Sequence, residues 1–164
     1  MNEKSSKQPN SAPDDPPLCM ISVDKEGRMW HLGAEMTNEG INRLLMGQVE
    51  LDSLGRYIIT LGGERCVVEV EDTFFVITRF DLFPAEGDAP EGAFVHLNDG
   101  SREELDPATL RLGPENVLYA TVKGGRFPAR FLRKSYYQLA GHIIERNGKY
   151  VLAYRGQDYP INEA

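Results

Sequence analysis

Five basic side chains stand close together in an otherwise acidic chain: Lys123, Arg126, Arg130, Arg133 and Lys134. Arg126 and Arg130 are four residues apart, so on one strand both would point to the same face. Guanidinium groups bind planar oxyanions through paired hydrogen bonds, which suits a phosphate or a carboxylate. The alternative is a solvated hairpin face that pairs with the acidic surplus of the surface. The anion site that this pattern predicts consists of Arg126, Arg130, Arg133, Tyr136 and Tyr137.

An acidic run supplies the second group of candidate residues, Glu69, Glu71 and Asp72. Glu69 and Glu71 share one face of a predicted strand, close enough to hold a metal or to act as an acid/base pair. A histidine, the usual general base at neutral pH, would complete a hydrolase-like site. The three histidines are scattered, however, and no G-x-S-x-G or H-E-x-x-H motif accompanies them. The structural alternative for the acidic run is a turn and a charged strand edge that resists pairing.

Composition excludes several classes of protein. The 164 residues carry a formal net charge of −7, which disfavours binding to nucleic acid and to anionic membrane surfaces. No apolar run is long enough to span a bilayer, and the first residues have no apolar signal region. Cys19 and Cys66 show no metal-ligand spacing; one disulfide or a two-ligand metal site is formally open. We expect two small hydrophobic cysteines in a reducing, cytoplasmic compartment, without metal or cofactor.

The pattern of strands and helices predicts an α+β fold. Residues 1–17 hold almost no apolar side chains and are expected to be a disordered tail. Residues 18–82 and 83–164 are expected to form two units, with the stretch from Pro84 to Gly92 as a loop between them. Each unit should contain mostly antiparallel strands and one short helix. Thr37 is the expected N-cap of the first helix and Ser135 that of the second.

An internal repeat relates two stretches, Ile21 to Gly62 and Ala120 to Gly156. Each reads as a β-hairpin, one helix, and a strand that opens with Gly, a basic residue, Tyr and an aliphatic residue. A single match of this kind is common, but the ordered set of matches favours a repeated ββαβ unit. A helix packed on antiparallel hairpins is an ordinary way to bury one face of a sheet. We therefore expect both stretches to have the same strand order.

Several motifs resemble an uncharacterised bacterial family, domain of unknown function 1285. They are the run from Val68 to Val76 (VEVEDTFFV), the early Gly-Arg-Met-Trp-His-Leu-Gly from Gly27, and Tyr119–Arg130 followed by a Tyr-Tyr-x-Leu-Ala helix. The resemblance extends from about Pro17 to Ile161. It implies a two-part structure with repeated motifs and no established activity, and a signalling role is suggested for the family. It defines no catalytic residue.

These features favour a non-catalytic binding or regulatory module over an enzyme. Its partner would be a small anionic ligand or another protein, held between the two units. Aromatic side chains such as Trp30, Tyr154 and Tyr159 could line the pocket, although core packing is their commoner role. The alternative is the hydrolase-like enzyme that uses Glu69, Glu71 or Asp72 with a histidine.

Overall fold

Strands dominate the computed structural model, which describes residues 15–163. The α-helices are α1 (Glu39–Met46) and α2 (Arg133–Ala140), and two short 3-10 helices span Pro107–Thr109 and Pro114–Asn116. In chain order the strands are β1 (Leu18–Val23), β2 (Met29–His31), β3 (Ala34–Glu35), β4 (Val49–Leu51), β5 (Tyr57–Leu61), β6 (Glu64–Val70), β7 (Phe75–Phe83), β8 (Gly92–Leu97), β9 (Arg102–Glu104), β10 (Arg111–Leu112), β11 (Leu118–Val122), β12 (Phe127–Phe131), β13 (Ile143–Arg146), β14 (Lys149–Tyr154), β15 (Gln157–Pro160) and β16 (Asn162–Glu163).

The strands of residues 15–163 form three sheets. The first has the order β3-β2-β1-β6-β5-β4, the second β16-β10-β11-β12-β7-β8-β9, and the third β13-β14-β15. Most neighbours are antiparallel, and the parallel pairs are β1 with β6, β12 with β7 and β10 with β16. The predicted α+β class with two related units is confirmed. The last strand of the first sheet along the chain, β6, ends at Val70. The boundary between units that was expected between residues 82 and 83 lies near the end of β7, which belongs to the second sheet.

The two repeated stretches share their order of elements but not their strand order. Each runs through a hairpin, a helix and two antiparallel strands, β4-β5 in the first and β13-β14 in the second. A third antiparallel strand follows just outside each stretch, β6 after the first and β15 after the second. In the first, β6 pairs with β1. In the second, β10 and β12 take the two edges of β11, so no edge is left for β15. The expectation of equal strand order is therefore wrong, because a strand has only two edges for pairing.

Neither α-helix is capped by the residue that the sequence predicted. Asn38, not Thr37, caps α1, and its side chain accepts a hydrogen bond from the N–H of Ile41. Ser135 lies inside α2, where its buried hydroxyl donates to the carbonyl of Ile77 at 2.6 Å. No helix of the described residues is long and apolar enough to cross a membrane.

One asparagine joins the first unit to the second. The Asn98 side chain donates to the carbonyls of Gly27 and Phe74, both at 3.1 Å, and accepts from the N–H of Val76 at 3.0 Å. Gly27 lies in the β1–β2 turn of the first sheet, while Val76 is in β7 of the second. Because these groups are partly shielded from water, the bonds fix the hairpin of the first unit against the second sheet.

Cys19 and Cys66 form a disulfide, which corrects the expectation of two unpaired cysteines. Their Cα atoms are 4.9 Å apart although their positions in the sequence differ by 47. The parallel pairing of β1 with β6 places Leu18 opposite Val67 and so brings the two cysteines side by side. The carbonyl of Pro17 continues this pairing by accepting from the N–H of Val67 at 2.7 Å. Residues 1–14 of the expected tail lie outside the described residues.

Candidate functional site

The acidic run is divided among three separate contacts. Glu69 is exposed on β6, and Glu71 accepts a hydrogen bond from the N–H of Lys25 at 3.0 Å. Asp72 faces the second unit and pairs with Arg130. Among the described residues no cluster of His, Cys, Asp and Glu could hold a metal ion. The structure thus offers no support for a shared metal or an acid/base pair within the acidic run.

Arg130 already forms an ion pair through one of its terminal nitrogens. One of its terminal nitrogens lies 2.9 Å from Oδ2 of Asp72, and both side chains are mostly buried, at 22% and 27% exposure. The same oxygen accepts a hydrogen bond from the Tyr119 hydroxyl at 2.8 Å. Burial, followed by the Asp72 carboxylate, raises the pKa of Tyr119 above its ordinary value, so its hydroxyl remains a donor. The two groups of candidate residues, basic and acidic, therefore meet at Arg130 and Asp72.

Arg126 lies apart from Arg130. Strand β12 begins at Phe127, so Arg126 belongs to the preceding turn and the two arginines do not share a strand. Its Nε donates to the carbonyl of Lys123 at 3.0 Å, and its guanidinium stands 5.3 Å from the centre of the Phe127 ring. Tyr137 is 60% exposed, on the surface of α2. Neither Arg126 nor Tyr137 lines either of the cavities described below.

A small cavity gathers the other three residues of the predicted anion site. Its volume is about 190 Å³, and its side walls come from the β11–β12 region and the start of α2. Arg130, Arg133 and Tyr136 line it, together with Asn116 and, from the first unit, Glu26. Arg133 is exposed, and within residues 15–163 no carboxylate lies in ion-pairing distance of it. Arg133 therefore lines the concave space without a carboxylate partner, and its guanidinium stands 5.8 Å from the centre of the Tyr137 ring.

A second, larger cavity adjoins the first. Its volume is about 840 Å³, and it lies between α2, the β10–β11 end of the second sheet and the three-stranded sheet. Three residues line both cavities: Asn116, Leu118 and Tyr136. A volume of this order is that of ordinary small-molecule sites. The two spaces therefore adjoin along these three residues, with the arginines beside the smaller space.

The segment that carries Asn116, which lines both cavities, has an unusual backbone. Glu115 and Asn116 both lie in the left-handed region, with φ of 60° and 59°. Asn tolerates this region, but for a residue such as Glu it costs about 1–2 kcal/mol. The segment is held from outside by a hydrogen bond from the N–H of Gly113 to the carbonyl of Val117 at 2.7 Å. Sequence reasoning missed Asn116, and the turn-forming Gly-Pro-Glu-Asn run was its only signal.

The histidines do not join the acidic run. His96 Nε2 lies 2.9 Å from Oδ2 of Asp81, and Arg79 Nε lies 2.9 Å from Oδ1 of the same carboxylate. Burial raises the pKa of Asp81, but the hydrogen bonds from His96 and Arg79 outweigh it and hold that pKa below its ordinary value. His31 and His142 are exposed. Within the described chain, no hydrogen bond or ion pair joins a histidine to Glu69, Glu71 or Asp72.

The fold is shared with crystal structures of two DUF1285 family proteins. The protein from Silicibacter pomeroyi DSS-3 is 18% identical, with 95% of this chain and 90% of that chain covered and a TM-score of 0.72. The protein from Shewanella baltica OS155 is 16% identical, with 74% and 91% covered and a TM-score of 0.60. No family model matches the sequence, and no curated protein matches it significantly. The resemblance drawn from the residues is confirmed at the level of the fold.

Proposed function

We propose that this protein is a non-catalytic binding module with a regulatory role, and that a small anionic ligand binds in the smaller cavity. The observation that carries the proposal is Arg133, which lines the cavity and has no ion-pair partner in residues 15–163. Arg130 lines the same space and keeps only one of its nitrogens on Asp72. Two guanidinium groups around one cavity suit a carboxylate or a phosphate, which accept paired hydrogen bonds.

The first unit contributes one group to this site, which supports a ligand held between the units. Glu26, from the β1–β2 turn, lines the same cavity as the arginines. An exposed carboxylate near a bound anion repels it, so Glu26 is expected to weaken the binding rather than to strengthen it. Its position offers a sensitive probe of where the negative charge of the ligand lies.

The proposal predicts a set of three charge variants with different outcomes. Arg133→Gln should weaken the binding of phosphate monoesters and small carboxylates at least tenfold, since charged hydrogen bonds contribute about 1.5–3 kcal/mol each. Glu26→Gln should strengthen it. Arg126→Gln is the matched control, because Arg126 is an exposed arginine of the β11–β12 hairpin that lines neither of the two cavities. Isothermal titration calorimetry with a panel of both ligand classes, preceded by a thermal-shift screen, measures the three effects.

Equal affinities for the wild type and Arg133→Gln would remove the site. A loss of affinity in Arg126→Gln as large as that in Arg133→Gln would point instead to general attraction by the basic hairpin, which falls steeply with added salt. Nucleic acid and membrane surfaces are not part of the proposal, because the net charge of −7 opposes both.

A further inference from the structure

The topology of the second unit leaves open a space that the first unit closes. In the first unit β6 pairs with β1, so the three strands β4-β5-β6 extend the sheet. In the second unit β10 occupies the corresponding edge of β11, and the three strands β13-β14-β15 stand apart as a separate sheet. The larger cavity is the cleft between that sheet, α2 and β10–β11. It therefore follows from the arrangement of the strands rather than from loose packing of a core.

The floor of the larger cavity is aliphatic. The side chains that form it are Leu112, Leu118, Leu139, Ala140, Ile143 and Ile161. Leu118 and Leu139 are buried, and Leu112, Ile143 and Ile161 are half-buried, so their apolar surface faces inward. The polar lining residues, among them Glu145 and Lys149, are exposed and lie at the mouth. An apolar floor below a polar rim is typical of a binding cleft for an apolar group.

The two cavities meet at Tyr136, whose side chain lines both and has an apolar body with a polar tip. Arg133 lies one helical turn before it, at the basic end. A ligand with an anionic group at Arg133 and an apolar body that passes Tyr136 would match both spaces at once. The lining also includes two aromatic side chains, Tyr136 and Tyr150. Tyr150 is 64% exposed, so the less exposed part of the lining is mainly aliphatic and favours a saturated chain over a flat ring system.

We infer that the anion bound at Arg133 is the head group of an amphipathic ligand, whose saturated aliphatic chain occupies the larger cavity. This inference rests on the proposed function and names its ligand class: a fatty carboxylate or a monoalkyl phosphate, which share the same head-group and chain chemistry. Asn116, which lines both cavities, lies where the head group gives way to the chain, and its neighbour Glu115 is strained in the left-handed region. Strain of this kind persists where the surrounding structure needs that conformation for a site.

The experiment measures affinity against chain length in the full-length protein. The probes are hexanoate, octanoate and decanoate, with the corresponding monoalkyl phosphates as a second arm, each below its micelle concentration. Burial of a methylene stabilises by about 0.8 kcal/mol, so affinity should rise roughly fourfold for each added methylene. The arm with the tighter binding at equal chain length identifies the head group.

Ala140→Phe tests whether the chain lies in the larger cavity. Ala140 is exposed and lines the cleft, so a phenyl ring there fills the space without disturbing the core. In this variant we expect affinity no longer to increase with chain length, while the affinity for hexanoate stays at the wild-type value. Ala153→Phe is the matched control, since Ala153 is an exposed alanine of β14 that does not line the cleft. It should leave the whole series unchanged.

The outcomes separate the inference from the proposed function. If hexanoate binds and Arg133→Gln abolishes that binding, but longer chains bring no gain, the inference is overturned and the anion site stands. An undiminished chain-length gain in Ala140→Phe also overturns the inference. If neither arm binds at any chain length, the anion site itself fails and the inference falls with it.

Discussion

Arg130 has a structural partner as well as a place in the cavity. Its guanidinium bonds to Asp72, and its backbone N–H donates to the Thr73 hydroxyl at 3.1 Å. Thr73 is buried and donates in turn to the carbonyl of Phe75. The end of the VEVED run is thus bound to β12 through side chain and backbone together. Arg130 is expected to matter for stability, while Arg133 is the residue that remains available to a ligand.

Asp72→Asn should lower the free energy of unfolding by about 1–2 kcal/mol, because it leaves the mostly buried Arg130 guanidinium without its carboxylate. Urea unfolding monitored by circular dichroism measures the change. Arg126→Gln serves as the reference, since an exposed arginine on the same hairpin should cost no more than about 0.5 kcal/mol. Equal stabilities for both variants would contradict a structural role for this pair.

A second residue, Asp99, links stability to pH. Burial raises its pKa, but hydrogen bonds from Lys123 and Ser101 outweigh burial and hold the pKa below the ordinary value of 3.8. A carboxyl whose folded pKa is lowered stabilises the fold above its unfolded pKa and loses that contribution as the pH falls through the folded pKa. The wild type should therefore lose stability below about pH 4. Asp99→Asn should show a smaller loss over that range, and parallel acid profiles would contradict the assignment.

At the scale of elements, the same turn occurs twice in the first unit. Asp24 and Asp52 each accept from two backbone N–H groups and pair with the arginine four residues on. The glycine before each arginine has a positive φ, 79° at Gly27 and 76° at Gly55. The two turns differ in their surroundings. An added Cβ at Gly27 would collide with Val76 and lie 2.7 Å from Asn98 Nδ2, whereas Gly55 faces open space.

Gly27→Ala and Gly55→Ala therefore form a matched pair of variants. Both place alanine in the left-handed region, at a cost of about 1 kcal/mol. Gly27→Ala should cost about 1–3 kcal/mol more, because the methyl group also forces apart the contact between the units. Thermal and urea unfolding of the two variants measure the difference. Similar destabilisation by both would mean that the turn does not press against the second unit.

At the scale of the whole molecule, the disulfide constrains the first unit most strongly. It closes a loop across a sequence separation of 47 and so removes conformational freedom from the unfolded chain. Loop entropy alone corresponds to about 4 kcal/mol at this separation, as an upper figure. Reduction with dithiothreitol should lower the melting temperature of the wild type. A Cys19→Ser, Cys66→Ser double variant should melt near the reduced protein and be insensitive to the reductant; a reductant effect of equal size there would contradict the prediction.

The disulfide also bears on where the protein resides. Disulfides persist mainly in oxidising compartments, so this one weighs against the cytoplasmic location expected from the sequence. Alkylation of free thiols in intact cells, followed by mass analysis, measures whether Cys19 and Cys66 are bonded in place. Two alkylated thiols would support the cytoplasm, and none would support an oxidising compartment.

The sequence by itself determined the class of the fold, because alternation of apolar residues and glycine-containing turns are local signals. It located the repeated order of hairpin, helix and strand, and it identified Arg130, Arg133 and Tyr136, which the structure brings to one cavity. It failed at Arg126, whose strand begins one residue later than expected, and at Asn38, which caps α1 in place of Thr37. Such errors of one residue are the usual limit of local patterns, since the last bond of an element depends on its neighbours.

Only the tertiary structure decided which strands share edges. The pairing of β1 with β6 joined Cys19 to Cys66, and the pairing of β10 with β11 kept β13-β14-β15 apart and opened the larger cavity. Pairing between distant strands uses backbone hydrogen bonds that every residue except proline can make, so it leaves little trace in the residue types. The residue types of the candidate site could therefore be predicted from the sequence, whereas the shape of the larger cavity beside it could not.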